Sequence, residues 1–277
     1  MRRVKRNQQF CAAKIMTDHP LSGWRITITR AKDQSGQLSN QLTHLGAVIN
    51  ECPMIEIAPP SSWESLDSGI EKLDTYNWLI FTSGNAVDYF FKRLNDRKPD
   101  RLPPHLQVCA VGWSTASKLN NLGIAVDLVP RSNSAEGILD SLTEAIGRDK
   151  LPGNKFLFPR AKFGRDYLVN ELRERGTEID LVEAYQTIRP ECDKAQISAL
   201  LKQQTDIIVF TSPSTVRNLA DLVGDQLRLL LKDVAVACIG PTTRQVAIEK
   251  ELSVVVEPAK QTTQDLVDSI INFAKNR

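Results

Sequence analysis

The stretch IFTSGNAVDYF, residues 80–90, returns almost unchanged as VFTSPSTVRNL, residues 209–219. In both copies an apolar run ends in Thr-Ser, and a helical pattern follows directly. A strand, a tight turn and a helix start in this order are typical of the βα units of parallel sheets. The stretch therefore predicts an α/β fold and raises the question of an internal duplication.

Three further pairs of segments repeat in the same order and nearly the same register. They are residues 29–32 with 159–162, residues 111–115 with 239–243, and residues 128–141 with 256–269. Short α/β motifs resemble one another by chance, but four landmarks in one register are not explained that way. We therefore predict an internally duplicated chain with two α/β domains.

Bulk composition is compatible with this organisation. The chain has 277 residues, of which 42% are hydrophobic and 25% charged, enough for two ordinary domains. A net charge of +2 predicts no nucleic-acid partner, although a local basic cleft for an acidic small molecule stays open. The 5 cysteines form no CxxC pair and the 3 histidines do not cluster, so we expect free thiols and no metal site.

The N-terminal segment is basic and lacks the apolar run of a secretory signal. No acidic residue precedes Asp18, so an organellar address stays open, but we predict a disordered tail over residues 1–23. No apolar stretch approaches the roughly 20 residues that span a bilayer. We expect a cytoplasmic protein with no membrane association.

Alternating strands and helices fill the rest of the chain. Strands are predicted at residues 24–29, 47–50, 78–82, 108–111, 125–129, 155–159 and 179–182, with helices at 37–45, 84–94, 114–122 and around 168–172. Proline-bearing segments, residues 52–60 and 183–190, interrupt the pattern at equivalent places. They predict two connections between domains, and an exchange of segments between the copies stays open.

Hydroxyl and guanidinium groups follow the predicted strands, where helix N-termini favour anions. The candidate substrate-binding residues are Arg30, Ser83, Thr115, Arg160, Ser212, Thr242 and Thr243. The two serines can equally be helix caps, and the two arginines ordinary surface residues.

The two copies differ at Tyr185, which is aligned with Ile55 when the repeats are superimposed in sequence. A tyrosine hydroxyl is protonated at neutral pH and can donate a proton or a hydrogen bond to a leaving oxygen, which makes Tyr185 the candidate catalytic residue. The alternative is an amphipathic residue at a domain edge. The sequence contains no GxGxxG, P-loop or GxSxG motif, which disfavours nucleotide binding and hydrolase chemistry.

Taken together, the sequence resembles the uroporphyrinogen-III synthase family from Trp24 to the C-terminus. The resemblance is carried by residues 80–83, 111–115, 157–160, 185–187, 210–213 and 239–243. It implies two flavodoxin-like, three-layer domains with parallel sheets, joined by two extended linkers and needing no cofactor. The implied domains are residues 24–56 plus 188–277, and residues 57–187.

The resemblance also implies a reaction: hydroxymethylbilane, a linear tetrapyrrole with eight carboxylates, is closed to uroporphyrinogen III with loss of water and inversion of the last pyrrole. Tyr185 would assist departure of the hydroxyl, and the candidate hydroxyls and arginines would bind carboxylates. Two departures between the copies are Gly84 opposite Pro213 and Trp113 opposite Pro241. Neither removes a candidate ligand.

Partners follow from the same resemblance. A monomer is expected, with transient contact with the enzyme that supplies hydroxymethylbilane. A noncatalytic, two-lobed binding protein for a small polyanionic ligand remains the alternative, since the same fold and donors would serve it. A nucleotide-sugar transferase is disfavoured by chain length and by the lack of acidic nucleotide contacts.

Overall fold

The computed structural model describes residues 19–98, 102–164 and 166–277. The strands in this part are β1 (Arg25–Ile28), β2 (Val48–Glu51), β3 (Glu56–Ala58), β4 (Trp78–Phe81), β5 (Gln107–Ala110), β6 (Lys155–Ala161), β7 (Glu178–Ile188), β8 (Ile207–Phe210), β9 (Ala235–Cys238) and β10 (Val254–Val256). The helices are α1 (Lys32–His44), α2 (Glu64–Glu71), α3 (Gly84–Arg97), α4 (Trp113–Asn121), α5 (Ala135–Ile146), α6 (Tyr167–Glu174), α7 (Lys194–Gln203), α8 (Pro213–Val223), α9 (Leu227–Leu230), α10 (Pro241–Glu249) and α11 (Thr263–Lys275).

These elements form two compact units. One consists of residues 19–56 together with Ile188–Arg277, and the other of Ile57–Thr187. The chain changes unit twice, once at the start of β3 and once at the end of β7. Each unit contains one five-stranded sheet.

The sheet of the first unit has the strand order β10-β9-β8-β1-β2, and neighbouring strands are parallel. Successive residues of β8 contribute to opposite faces: Ile207 and Val209 belong to one core cluster, Ile208 and Phe210 to another. All four are fully buried. Burial on both faces explains why β8 is a continuous apolar run rather than an alternating one.

The sheet of the second unit has the order β3-β7-β6-β4-β5. In this sheet β6 is parallel to β7 and to β4, and β4 is parallel to β5. In β4, Trp78 and Ile80 pack into one core cluster while Leu79 and Phe81 pack into the other. Apolar side chains therefore cover both faces of this sheet as well. Both units have the parallel-sheet α/β architecture that the sequence predicts.

Local sequence signals account for the beginnings and ends of several helices. Gly46 follows α1 with a φ of 93°, a conformation that glycine adopts without strain, and so ends the helix as expected. Serine side chains cap α3, α5 and α8 by accepting a backbone N–H from the first turn. Each of these helices therefore starts within a residue or two of a Ser in the sequence.

Two predicted strands differ from the structure. Residues 125–129 form only an isolated bridge, between Leu128 and Cys109. The reason is Asp127, whose carboxylate accepts the Val108 N–H at 2.7 Å and so replaces a backbone partner. The strand predicted at residues 179–182 is the longer β7, because its pairing with β6 continues as far as Tyr185. Residues 183–188, predicted as part of an interruption, therefore belong to a strand.

The predicted disordered tail, residues 1–23, extends too far along the chain, because its last residues belong to the fold. Leu21 is fully buried in the core of the first unit, and its N–H donates to the Leu45 carbonyl at 2.9 Å. The fold therefore includes residues before Trp24, while residues 1–18 lie outside the described part of the chain.

Cysteines in the described residues are free thiols, namely Cys52, Cys109, Cys192 and Cys238. Burial raises the pKa of Cys109 to about 12, so this thiol stays protonated at neutral pH. Cys11 lies outside the described residues. Within the described helices, none is both long and apolar enough to cross a membrane.

Candidate active site

Three of the predicted site residues meet in one cavity of the second unit. Ser83 follows β4, Arg160 lies near the end of β6, and Tyr185 lies in β7. These strands are neighbours and run parallel, so their carboxyl ends share one edge of the sheet, the edge where open α/β sheets bind ligands. The cavity has a volume of about 630 Å³ and is lined by all three side chains.

Tyr185 is held inside the wall of this cavity. Its side chain is 8% exposed, and its hydroxyl oxygen lies 3.1 Å from Ser83 Oγ. The Tyr89 ring stacks on the Tyr185 ring with centroids 6.1 Å apart and an interplanar angle of 18°. The phenol is therefore fixed at its hydroxyl and along one ring face.

Ser83 has the helix-cap role that the sequence left open, and its role in substrate binding stays a prediction. It is the N-cap of α3, where its Oγ accepts the Ala86 N–H at 3.2 Å, and it also contacts the Tyr185 hydroxyl. Oγ accepts from Ala86 and keeps both a hydrogen and a lone pair, so either hydroxyl can be the donor in the bond between Ser83 and Tyr185. Helix capping and contact with the candidate catalytic group thus use the same oxygen.

Arg160 contributes positive charge to the cavity wall. Its side chain is 12% exposed, and Nη2 forms an ion pair with Asp166 Oδ1 at 2.5 Å. A Cβ on Gly164 would lie 3.0 Å from Arg160 Nη1, so glycine at this position leaves room for the guanidinium. A planar guanidinium in a half-enclosed cavity is suited to binding a carboxylate.

Several lining residues were not predicted from the sequence. Phe163, on the loop after β6, is 81% exposed, and Tyr167, in the first turn of α6, is 44% exposed. The negative charge of Glu171 raises the pKa of Tyr167, so its hydroxyl is protonated at neutral pH. Phe163 follows the repeated segment 159–162 directly, but nothing in the sequence distinguishes an exposed aromatic residue from a buried one.

The start of α5 also lines the cavity. Ser134 caps this helix by accepting the Gly137 N–H at 3.1 Å, and Asn133 and Glu136 flank it. Glu136 is acidic, so the cavity is not uniformly positive. An acidic and a basic side chain, Glu136 and Arg160, therefore both line the cavity.

Thr115 is not brought to the cavity. It lies in the first turn of α4, after β5, is only 5% exposed, and is not among the residues that line the cavity. Its burial follows from its position on the face of α4 that also buries Ala116 and Leu119. A role for Thr115 in ligand binding stays a prediction.

The first unit places four predicted residues along the carboxyl edge of its own sheet. Arg30 follows β1, Ser212 follows β8, and Thr242 and Thr243 begin α10 after β9. Thr242 is exposed and Thr243 is 3% exposed, so only the first presents its side chain to solvent. Arg30 Nε donates to Gln34 Oε1 at 3.3 Å, and burial lowers the pKa of Arg30 without removing its charge at neutral pH.

Another cavity, about 400 Å³ in volume, lies in the first unit, at the edge of its sheet where the amino ends of the strands lie. It is lined by residues at the amino ends of β9 and β10, including Arg228, Lys232, Glu251 and Arg277. Arg228 and Glu251 pair with each other at 2.5 Å. None of the predicted site residues lines this cavity.

The two serine caps allow a matched prediction. Ser212→Ala removes one cap bond, to Thr215 N at 3.4 Å, and is expected to lower the free energy of unfolding by about 1 kcal/mol. Ser83→Ala removes a cap and also the hydrogen bond to Tyr185, so we expect a loss of about 2 kcal/mol. Urea unfolding of both variants measures the difference, and equal losses would mean that the Ser83–Tyr185 bond adds no stability.

The fold and the candidate site define a class: α/β proteins with two parallel-sheet units that present hydroxyls, guanidinium groups and helix N-termini at the carboxyl edges of their sheets. Such proteins are suited to binding anionic small molecules.

Comparison with known proteins narrows the class. A family model described as "Uroporphyrinogen-III synthase HemD" matches residues 36–268. The uroporphyrinogen-III synthase of Synechococcus elongatus is 32% identical over 94% of this chain and 99% of its own length. A putative uroporphyrinogen-III synthase of Methanothermobacter thermautotrophicus is 30% identical over 88% of this chain and 96% of its own length. The chain belongs to the uroporphyrinogen-III synthase family.

Solved structures share the fold. A mutant uroporphyrinogen III synthase from Thermus thermophilus superposes with a TM-score of 0.61 at 15% identity, covering 92% of this chain and all of that chain. The Helicobacter pylori enzyme gives a TM-score of 0.60 at 17% identity, covering 90% of this chain and 99% of that chain.

Proposed function

We propose that this chain is a lyase that closes hydroxymethylbilane, a linear tetrapyrrole, to uroporphyrinogen III, with loss of water and inversion of the last pyrrole, in haem biosynthesis. The observation that carries the proposal is the family match over residues 36–268, which contains the cavity with Ser83, Arg160 and Tyr185. A tyrosine hydroxyl beside a guanidinium, in a cavity large enough for a pyrrole ring and its side chains, suits this substrate.

Substrate binding rests on many moderate contacts. Hydroxymethylbilane carries eight carboxylates, and each unit offers arginine, hydroxyl and helix N-terminal donors at one edge of its sheet. Within the cavity of the second unit, Arg160 is the proposed carboxylate ligand, and the acidic Glu136, which also lines the cavity, is the proposed acceptor of a pyrrole N–H. The proposed substrate-binding residues are Arg30, Ser83, Thr115, Arg160, Ser212, Thr242 and Thr243.

The proposed chemical step starts at the hydroxymethyl carbon. The C–O bond breaks, the Tyr185 hydroxyl delivers its proton to the departing oxygen, and water leaves. The electron-rich pyrrole stabilises the cation that remains. The substituted α-carbon of the last pyrrole attacks this cation to form a spiro intermediate, and the bond from that carbon to the neighbouring methylene bridge then breaks. The bridge carbon bonds instead to the free α-carbon of the same pyrrole, which inverts the ring, and the proton lost from that α-carbon reprotonates the tyrosinate. Because such a cation closes readily without help, holding the chain in one fold matters more than acid assistance.

We also propose that the two units are the products of duplication followed by exchange of a βαβ segment. The strand order β2-β1-β8-β9-β10 in one unit corresponds to β7-β6-β4-β5 in the other. Leu128 forms an isolated bridge with β5, at the position that is equivalent to β10 of the first unit. In the first unit the βαβ segment, β1 to β2, comes before the other strands of its sheet in the chain. In the second unit the equivalent segment, β6 to β7, comes after the other strands of its sheet. If the segment of residues 24–56 and the equivalent segment of residues 155–187 have exchanged units, this difference in chain order is explained.

The order of the first unit, renumbered within that unit, is 2-1-3-4-5, the flavodoxin-like order. This supports two flavodoxin-like, three-layer domains, residues 24–56 plus 188–277 and residues 57–187, joined by two extended segments. Every proposed ligand comes from one copy of the chain, so we propose a monomer that receives its unstable substrate through transient contact with the supplying enzyme.

The test is a product analysis. Purified protein is given freshly generated hydroxymethylbilane, and the oxidised products are separated into the type I and type III uroporphyrin isomers beside a reaction without protein. We expect type III to dominate, because spontaneous closure of the linear substrate gives type I. A product mixture no different from the protein-free reaction would contradict the proposal and favour the noncatalytic binding protein.

A further inference from the structure

Helix α3 contacts the Tyr185 side chain at two points. Ser83, the N-cap of α3, lies 3.1 Å from the Tyr185 hydroxyl, and Tyr89, in the second turn of the same helix, stacks on the Tyr185 ring. One rigid element therefore sets both the position of the phenol oxygen and the plane of its ring.

Tyr89 is itself fixed. Its hydroxyl donates to the Ile57 carbonyl at 3.2 Å, and its half-buried ring packs against the core cluster that contains Tyr185. Ile57 belongs to β3, the strand next to β7 in the sheet. The Tyr89 ring is thus held at both ends, by the helix at Cα and by a neighbouring strand at the hydroxyl.

The polarity of the hydrogen bonds gives this support a chemical consequence. Ser83 Oγ accepts from Ala86 N and keeps its own hydrogen and a second lone pair, so either hydroxyl can donate in the Ser83–Tyr185 bond. In the described part of the chain no second hydrogen bond to the Tyr185 hydroxyl is found, so when Ser83 is the donor the phenol hydrogen is available to a group in the cavity that Tyr185 lines. Donation toward a substrate oxygen requires that the ring does not rotate away from Ser83.

We infer that Tyr89 is a positioning residue: its ring holds the Tyr185 phenol in the orientation in which the phenol accepts from Ser83 and donates to the leaving oxygen. This inference rests on the proposed function. Tyr89 acts through Tyr185 and does not line the cavity itself. Loss of the stacked ring should lower kcat rather than raise KM, because substrate contacts are unchanged while the proton donor is less well oriented.

The experiment compares three variants of the full chain. Tyr89→Leu removes the stacked ring and is expected to lower kcat about tenfold with KM within about twofold, since small errors in position cost large factors in rate. Tyr89→Phe keeps the stacked ring and removes the hydroxyl that donates to Ile57, so kcat should stay within about threefold. Phe91→Leu is the control, because Phe91 lies on the same helix and packs on Phe81 and Phe90 instead.

A double-mutant cycle decides whether Tyr89 acts through Tyr185. In a Tyr185→Phe background, Tyr89→Leu should change kcat less than twofold, because no hydroxyl remains to be oriented. A tenfold loss in that background too, or an equal loss with Phe91→Leu, would overturn the inference while leaving the proposed function intact. If the unmodified chain gives no type III product, it is the proposed function that fails.

Discussion

Tyr185→Phe is expected to lower kcat about 100-fold and leave KM within about twofold, the largest kinetic effect expected of a single substitution in this chain. The phenol oxygen contacts Ser83, and Tyr185 lines the cavity, so the substitution removes the proposed proton donor without removing a proposed carboxylate ligand. Some turnover should remain, because the ring still packs against Tyr89 and the substrate still folds toward closure. Steady-state kinetics on fresh hydroxymethylbilane, with isomer analysis, gives both quantities.

The matched control is Tyr76→Phe. Tyr76 is also a buried tyrosine of the second unit, and its hydroxyl donates to Asp180 Oδ2 at 2.5 Å, but it does not line the cavity. Removing this hydroxyl should cost stability and leave kcat within about twofold. A Tyr185→Phe enzyme as active as the unmodified chain would remove Tyr185 from the mechanism, and an equal loss in Tyr76→Phe would assign the effect to stability.

Local signals in the sequence were enough to predict the βα units. The runs that become β4 and β8 are apolar at every position because both sheet faces are covered, and each is followed by a serine that caps the next helix. Gly46 ends α1 for a reason that also lies within a few residues. Such features depend on neighbours in the chain, so no tertiary information is needed to see them.

The errors arise where a distant residue replaces a local pattern. Residues 125–129 are apolar enough for a strand, but Asp127 uses its side chain to satisfy Val108 and shortens the pairing. Residues 183–188 end before a proline, yet β7 extends through them because β6 lies alongside. Leu21 is buried by a core that its own short segment does not reveal. None of these contacts has a signature in a window of ten residues.

The same distinction applies to the candidate site. Ser83, Arg160 and Tyr185 were visible because repeats and strand ends mark them. Tyr89 stacks on Tyr185, a residue distant in the chain, and the exposure of Phe163 on the loop after β6 has no local signal. The repeat also shows where the copies diverge: Ile55 stands opposite Tyr185 and is buried. Candidate binding groups are thus present in both copies, while the candidate proton donor is present in one.

Equivalent phenylalanines, Phe81 and Phe210, provide the largest expected effects on stability. Both residues end interior strands of their sheets and are fully buried. Replacing either one by Ala is expected to lower the free energy of unfolding by about 3–5 kcal/mol. Phe163→Ala is the control, because a ring that is 81% exposed should cost less than about 0.5 kcal/mol. Denaturant unfolding followed by circular dichroism measures all three.

The two cores differ in a way that orders the effects. Phe81 has aromatic neighbours, Phe90 at 5.4 Å and Phe91 at 5.9 Å between ring centroids, whereas the buried side chains described around Phe210 are aliphatic, small or sulfur-containing. Aromatic pairs add about 0.5–1.5 kcal/mol beyond area burial, so Phe81→Ala should be the more destabilising substitution. If Phe210→Ala were the more destabilising substitution, the core around Phe81 would have to relax into the void left by the missing ring better than the core around Phe210 does. The size of the remaining void, and not the loss of ring contacts, would then determine the loss of stability.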